Sequence, residues 1–278
     1  LHTKVKVTTL ETSKVKATRQ SGGEPIREWI YAGPYERDVS ELYHSNYSVP
    51  VEPFLPLIEE AERKLADCEP AEGEMFERFG QSKRWAYKRT DPSETKITWA
   101  RYGTYARFLA TYAYNQIRVK KGGTYCFNIW VAGGAVVLMN GMAVFKHRRV
   151  GRVEGDCRFE AELQPGTNHC LIILTNVHLH CTNAFTLTME EDTFECGVPL
   201  SLESSTRDRV EADYAKFYLV RHILHRNDRV SLNLQQPLTS AGSWVFSVFS
   251  SRSGEKKRDV PDWERVMTVG EDVTEIPL

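Results

Sequence analysis

Two histidines, His178 and His180, stand in the run NVHLHC. On a strand, their i, i+2 spacing turns both imidazoles to one face, as a two-histidine metal site requires. Ala184 and Phe185 stand a few residues on, and the first acids after the pair are Glu190 and Glu191. The competing reading is a pair of strand-end histidines hydrogen-bonded locally. His222 and His225 are less specific still.

Paired carboxylates would suggest glycoside hydrolysis, which needs two acids placed across the scissile bond. Glu154, Asp156, Glu190, Glu191 and Asp192 are available, yet nothing in their spacing sets a separation. No serine sits in a G-x-S-x-G elbow, and Gly133-Gly134 falls between strand-like runs instead of in a phosphate loop. A complete active site is not visible. Aromatic surfaces offer a different chemistry, because pyranose rings stack on flat side chains while polar groups reach their hydroxyls. Trp85, Trp99, Tyr102 and Tyr105 flank loops and make a candidate platform, with Arg101 and Arg107 close in sequence. Coverage of the core is the alternative role for these rings.

Composition narrows the field. The 278 residues carry 36 Lys plus Arg against 37 Asp plus Glu, a net charge of −1. That balance argues against whole-protein attraction to nucleic acid or to an anionic membrane. No apolar run approaches the roughly 20 residues a membrane helix needs. The N-terminal LHTKVKVTTLETSKVKATRQ alternates apolar and polar residues and lacks the apolar region of a signal peptide. The six cysteines, Cys68, Cys126, Cys157, Cys170, Cys181 and Cys196, form no CxxC pair. They are read as reduced thiols, and a cytoplasmic location is the expectation.

The elements that must position these groups are mostly strands. From Ala106 to Phe145 three apolar-alternating segments are punctuated by Lys121-Gly122-Gly123, Gly133-Gly134 and Asn140-Gly141. Asn-Gly suits a type I′ hairpin, whose two central residues need positive φ. In the first segment Phe108, Ala110, Tyr112 and Tyr114 share one face, with Leu109, Ala113 and Ile117 on the other, which predicts a strand covered on both sides. In the second, Tyr125, Phe127, Ile129 and Val131 point one way. Cys157, Phe159, Ala161 and Leu163 alternate with Arg158, Glu160 and Glu162, and HCLIILTNV reads as a second doubly covered strand. About seven strands are expected from Trp99 to Met189. FLPLIEEAERKLADC is the one clear helix, with Leu55, Ile58, Ala61 and Leu65 in a stripe and Pro56 in the first turn. Thr18 to Glu24 reads as a polar link, Gly33-Pro34 as a strand end, and Gly197-Val198-Pro199 as a break in the pattern. Three further strands follow, in AKFYLVRHILH, RVSLNLQQPL and SWVFSVFSS. A boundary is placed near residue 205, giving domains 1–205 and 206–278.

Several of these motifs carry a resemblance. Gly123-Thr124-Tyr125-Cys126-Phe127, Val137 to Gly141 with its Asn-Gly hairpin, and Leu163-Gln164-Pro165-Gly166-Thr167-Asn168 follow one another as in a known module. Upstream, Trp29 to Pro34 (WIYAGP) matches a W-x-x-x-G-P opening. Together, over about residues 26–190, these are similar to the galactose-binding-like jelly-roll modules of bacterial glycoside hydrolases. The segment 53–94 is longer than that pattern and is read as a helical insertion capping one end of the sandwich. The resemblance implies a mainly β fold, an antiparallel β-sandwich or jelly roll with a short helical insertion and a smaller C-terminal β segment. It also implies an ancillary, non-catalytic region of a carbohydrate-active enzyme. Such a region binds glycan or supports a catalytic domain of the same polypeptide, with no cofactor, nucleic acid or membrane partner. Two other readings stand beside it: a jelly-roll metal enzyme using His178 and His180, in which case the glutamate of the cupins is missing, and a protein-interaction module.

Overall fold

A computed structural model describes residues 2–7, 14–39, 51–90, 93–94, 96–98, 107–150, 154–177, 184–191 and 193–201, with residue 212 and strand segments 217–219, 232–234, 243–249 and 263–268. The chain divides into two compact units, one of residues 13–200 and one joining residues 1–12 to 201–278. In the latter unit, strand β1 (His2–Val7) pairs antiparallel with a strand some 240 residues later, Ser243–Phe249.

The larger unit is an antiparallel β-sandwich. Its strands are β2 (Lys14–Ser21), β3 (Glu28–Asp38), β4 (Met75–Arg78), β5 (Gln81–Arg84), β6 (Ala86–Arg89) and β7 (Ile97–Thr98), then β8 (Arg107–Val119) and β9 (Gly123–Ala132). They continue with β10 (Gly134–Met139), β11 (Met142–His147), β12 (Glu154–Leu163), β13 (Gly166–Asn176), β14 (Ala184–Met189) and β15 (Thr193–Leu200). The strands β8 to β14 answer the expectation of about seven between Trp99 and Met189. One sheet runs β11-β10-β13-β8-β15-β2, with β3 also on β8 and β6 on β3; the other runs β12-β9-β14-β7. β3 and β15 share one side of β8, along residues 107–114 and 116–118 respectively. The smaller unit adds β16 (Phe217–Leu219), β17 (Leu232–Leu234), β18 (Ser243–Phe249) and β19 (Trp263–Thr268), in a β16-β17 pair and a β1-β18-β19 sheet.

The larger sheet is apolar on both faces, as the side-chain period of two requires when alternate residues meet different partners. Ala113, Ile117, Cys170, Ile172 and Leu174 pack between the sheets on Phe127, Ile129, Val131, Phe185 and Leu187. Trp29 meets Phe185 edge to face within this layer, centroids 5.0 Å apart at 82°. On the opposite face Phe108, Tyr112, Tyr114, Leu171 and Ile173 pack against Phe54, Ile58, Ala61 and Leu65 of helix α1 (Leu55–Leu65) and its preceding 3-10 turn. The helix therefore covers the broad outer face of the sheet and does not cap an end. A sheet with apolar residues on both sides needs a second cover, and the stripe on α1 supplies it.

The chain changes sheet at its glycines. Gly133, at φ +93°, joins β9 in one sheet to β10 in the other, and a Cβ there would lie 2.7 Å from the Thr175 carbonyl oxygen. A Cβ on Gly134 would collide with the Arg149 carbonyl. Asn140 (φ 50°) and Gly141 (φ 80°) form the expected positive-φ hairpin between β10 and β11.

Four local readings are corrected. Lys14–Ser21 is a strand at the edge of the large sheet and not a polar link, because Thr18 and Gln20 turn inward while Val15, Ala17 and Arg19 face solvent. β3 continues through Gly33-Pro34, where a register shift between Ala32 and Tyr35 accommodates a proline that cannot donate to the ladder. β15 likewise runs through Gly197-Val198-Pro199, paired along its length with β2. Trp263–Thr268, not expected as a strand, is β19.

Candidate functional site

The aromatic platform read from sequence divides on the structure. Trp85 is only 2% exposed and sits in the outer core, its ring 6.0 Å from that of Phe76, so neither face is open to a sugar. Its backbone is also held, donating to the Glu74 carbonyl and accepting from Gly73 N–H. Trp85 is thus a core residue and is withdrawn from the platform. Arg107 is engaged by Glu36, Nη1 to Oε2 at 3.0 Å. Trp99, Arg101, Tyr102 and Tyr105, and the histidines His178 and His180, lie outside the described residues. Among the described residues no group of three or more His, Cys, Asp or Glu side chains could hold a metal ion.

A different surface carries the needed chemistry: the solvent face of the four-stranded sheet. Phe127, Ile129 and Val131 of β9 point into the core, so the alternation turns Thr124, Cys126, Asn128 and Trp130 outward. Trp130 stands in register between Asp156 of β12 and Thr186 of β14. One pair along, roughly 7 Å away by the rise of a strand, Asn128 stands between Arg158 and Thr188. Glu190 closes this second row. Arg158 grips its carboxylate with two bonds, Nε to Oε1 at 3.0 Å and Nη2 to Oε2 at 2.8 Å, and Asn128 Nδ2 donates to Oε1 at 3.0 Å.

The electrostatics favour the charged form of Glu190. Hydrogen bonds from Arg158 and then Asn128 hold the Glu190 carboxyl below its ordinary value. A general acid for glycosidic cleavage needs the opposite shift. The exposed carboxylate of Asp156, the amide of Asn128, the hydroxyls of Thr186 and Thr188 and the remaining guanidinium N–H groups of Arg158 supply donors and acceptors in the indole's own row and in the next one. The Lys96 ammonium lies 3.6 Å from the Trp130 ring centroid. At an exposed site this contact is worth about 0.5–1 kcal/mol, so a stacking ligand can displace it.

Trp130, Asn128 and Arg158 were not among the residues singled out from sequence, and Glu190 was named there only as a carboxylate whose spacing sets no partner. The signal was present for one of them. In TYCFNIWVA the tryptophan occupies the outward phase of the alternation, where a large ring gains nothing from the core. The others needed the register of three strands.

No family model matches the chain, and no curated protein matches it. Similar solved structures include a β-glucosidase from Kluyveromyces marxianus in complex with glucose, at 9% identity over 52% of this chain and 18% of that one, TM-score 0.32. A PA14 sugar-binding domain from an RTX adhesin is 10% identical over 59% of this chain and 90% of that one, TM-score 0.33. A Ruminococcus gnavus β-glucuronidase is 9% identical over 98% of this chain and 40% of that one, TM-score 0.29. The chain thus spans under a fifth of the β-glucosidase it matches. All three TM-scores lie below 0.5, so the functional reading rests on the chain's own residues.

Proposed function

We propose that this chain is an ancillary, non-catalytic β-sandwich region of a carbohydrate-active enzyme and that it binds glycan on the outer face of the four-stranded sheet. The observation that carries the reading is Trp130, an indole on the solvent phase of β9 flanked by Asp156 and Thr186, with the Arg158–Asn128–Thr188 row beside it. A pyranose stacks its apolar face on that ring, and its hydroxyls meet Asp156, Thr186, Asn128 and the Glu190–Arg158 pair. The module motifs in the sequence support the same reading.

The test is titration calorimetry of the full chain with a panel of neutral oligosaccharides, repeated with Trp130→Ala and Lys96→Ala. Binding by the native chain should weaken at least tenfold in W130A and persist in K96A. If no oligosaccharide in the panel binds the native chain, glycan binding is lost and only the supporting role remains.

A further inference from the structure

A second surface, on the large sheet, is built for anions. β2, β15, β8 and β13 lie side by side, and their registers place Arg19, Glu195, Arg118 and Thr167 in one row. Arg19 and Arg118 flank Glu195 from either side, their backbones roughly 10 Å apart by two strand spacings. The Thr167 hydroxyl accepts from Arg118 Nε and Nη2, both at 3.3 Å, and so aims the guanidinium plane. Lys120 joins this row at an open cavity of about 470 Å³, with Gly166 and Thr193 on its walls. That volume lies within the range of small-molecule clefts.

The charges do not balance within the cleft. Among the described residues Glu195 is the one acid on its walls, against Arg19, Arg118 and Lys120. Its contact to Arg118 Nη1 is long, at 3.9 Å, with both side chains more than half exposed. Among the described residues neither Arg19 nor Lys120 has a carboxylate partner. Gly166, at φ +94°, leaves open space where a side chain would stand. Guanidinium forks recognise planar oxyanions through paired N–H bonds, and an ammonium adds a point charge.

We propose that this cleft binds an oxyanion carried on a sugar, a carboxylate or a sulfate ester, at a site separate from Trp130; the sugar part of the ligand rests on the reading above. Arg19 and Arg118 take the oxyanion from two sides, and Lys120 supplies the third charge.

The experiment titrates the full chain with three oligosaccharides of equal length, one neutral, one uronic-acid and one sulfated, at low and at moderate salt. Far-UV circular dichroism checks the fold of each variant. At least one of the two acidic ligands should bind more tightly than the neutral one, with affinity falling as salt rises; which of them does so identifies the oxyanion. Arg19→Gln and Lys120→Gln should each weaken that binding about tenfold, the scale of one charge-assisted hydrogen bond. Glu195→Gln should strengthen it by removing the competing acceptor. Equal affinity for neutral and acidic ligands, or unchanged affinity in both R19Q and K120Q, overturns the inference. Trp130→Ala separates the two sites. Loss of neutral-sugar binding in W130A with no acidic preference in the native chain removes this inference alone, whereas acidic binding that survives W130A beside an inert neutral sugar removes only the Trp130 reading.

Discussion

The Asn140 side-chain amide donates to Asn168 Oδ1 at 2.9 Å, tying together two turns that lie 28 residues apart. Asn168 is fully buried, and its own amide donates to the carbonyls of Gln164 at 2.8 Å and Gly166 at 3.3 Å, while Oδ1 also accepts from Gln164 N–H at 2.8 Å. Asn140 Oδ1 in turn accepts the His169 N–H at 2.8 Å. The Pro165-Gly166 crossing and the Asn140-Gly141 hairpin are therefore one polar unit. Asn168→Leu would strand several buried donors and acceptors, and should cost about 2–4 kcal/mol. Urea denaturation monitored by tryptophan fluorescence measures it; a loss below about 1 kcal/mol would show that water replaces the network.

Two tryptophans should separate cleanly. Trp85→Ala opens a cavity in the outer core and should cost about 3–5 kcal/mol, seen as a lowered urea midpoint. Trp130→Ala removes an outward ring and should leave the midpoint nearly unchanged while glycan affinity drops. The reverse pattern would place the functional ring at Trp85.

Arg78 is a buried guanidinium that clamps the β4–β5 hairpin to helix α1. Its Nη1 lies 2.5 Å from Glu60 Oε1, its Nη2 donates to the Leu57 carbonyl at 2.8 Å, and it covers the Phe79 ring at 4.5 Å. Arg78→Met should cost about 2–4 kcal/mol at neutral pH, since truncating one partner leaves unpaired polar groups. The Arg78 hydrogen bond, with help from Lys64, holds the Glu60 carboxyl below its ordinary 4.5. A depressed folded-state value means the pair's contribution is present above about pH 4.5 and lost as pH falls through the lowered value. The difference between native and R78M stability should accordingly shrink in acid, and denaturation series from pH 7 to pH 3 follow it. A difference independent of pH would assign the loss to packing alone.

Thiol chemistry should report the layers. Burial pushes the Cys170 thiol up to about 12 and raises Cys196 well above its ordinary value, while Cys68 is pushed up to about 11, by burial first and then by Glu74 and Glu69. The thiolate is the reactive form. Alkylation at pH 8 followed by peptide mass spectrometry should find Cys126 and Cys157, half-buried at the small sheet, modified before Cys68, and Cys170 and Cys196 modified only after unfolding. Early labelling of Cys170 would mean that β13 opens in the native state.

What the sequence by itself determined was local and periodic. The two apolar faces of β8 and β13, the inward phase of β9 and β12, the Asn140-Gly141 turn and the stripe on α1 each follow from a period of 2 or 3.6 or from a residue's own φ preference. The strands β2 and β15 were harder, since an edge strand that turns Thr18 and Gln20 inward and Val15 and Ala17 outward and a strand holding Gly197 and Pro199 both break the simple alternation. Tertiary structure alone decided the partners. Whether α1 lay on a face or at an end depended on which sheet surface was left uncovered. The burial of Trp85 depended on where its hairpin docked. The Asp156–Trp130–Thr186 and Arg19–Glu195–Arg118–Thr167 rows exist only because strands far apart in the chain pair in one register. Alternation says which way a side chain points; pairing, a long-range choice made by the whole core, says what it points beside.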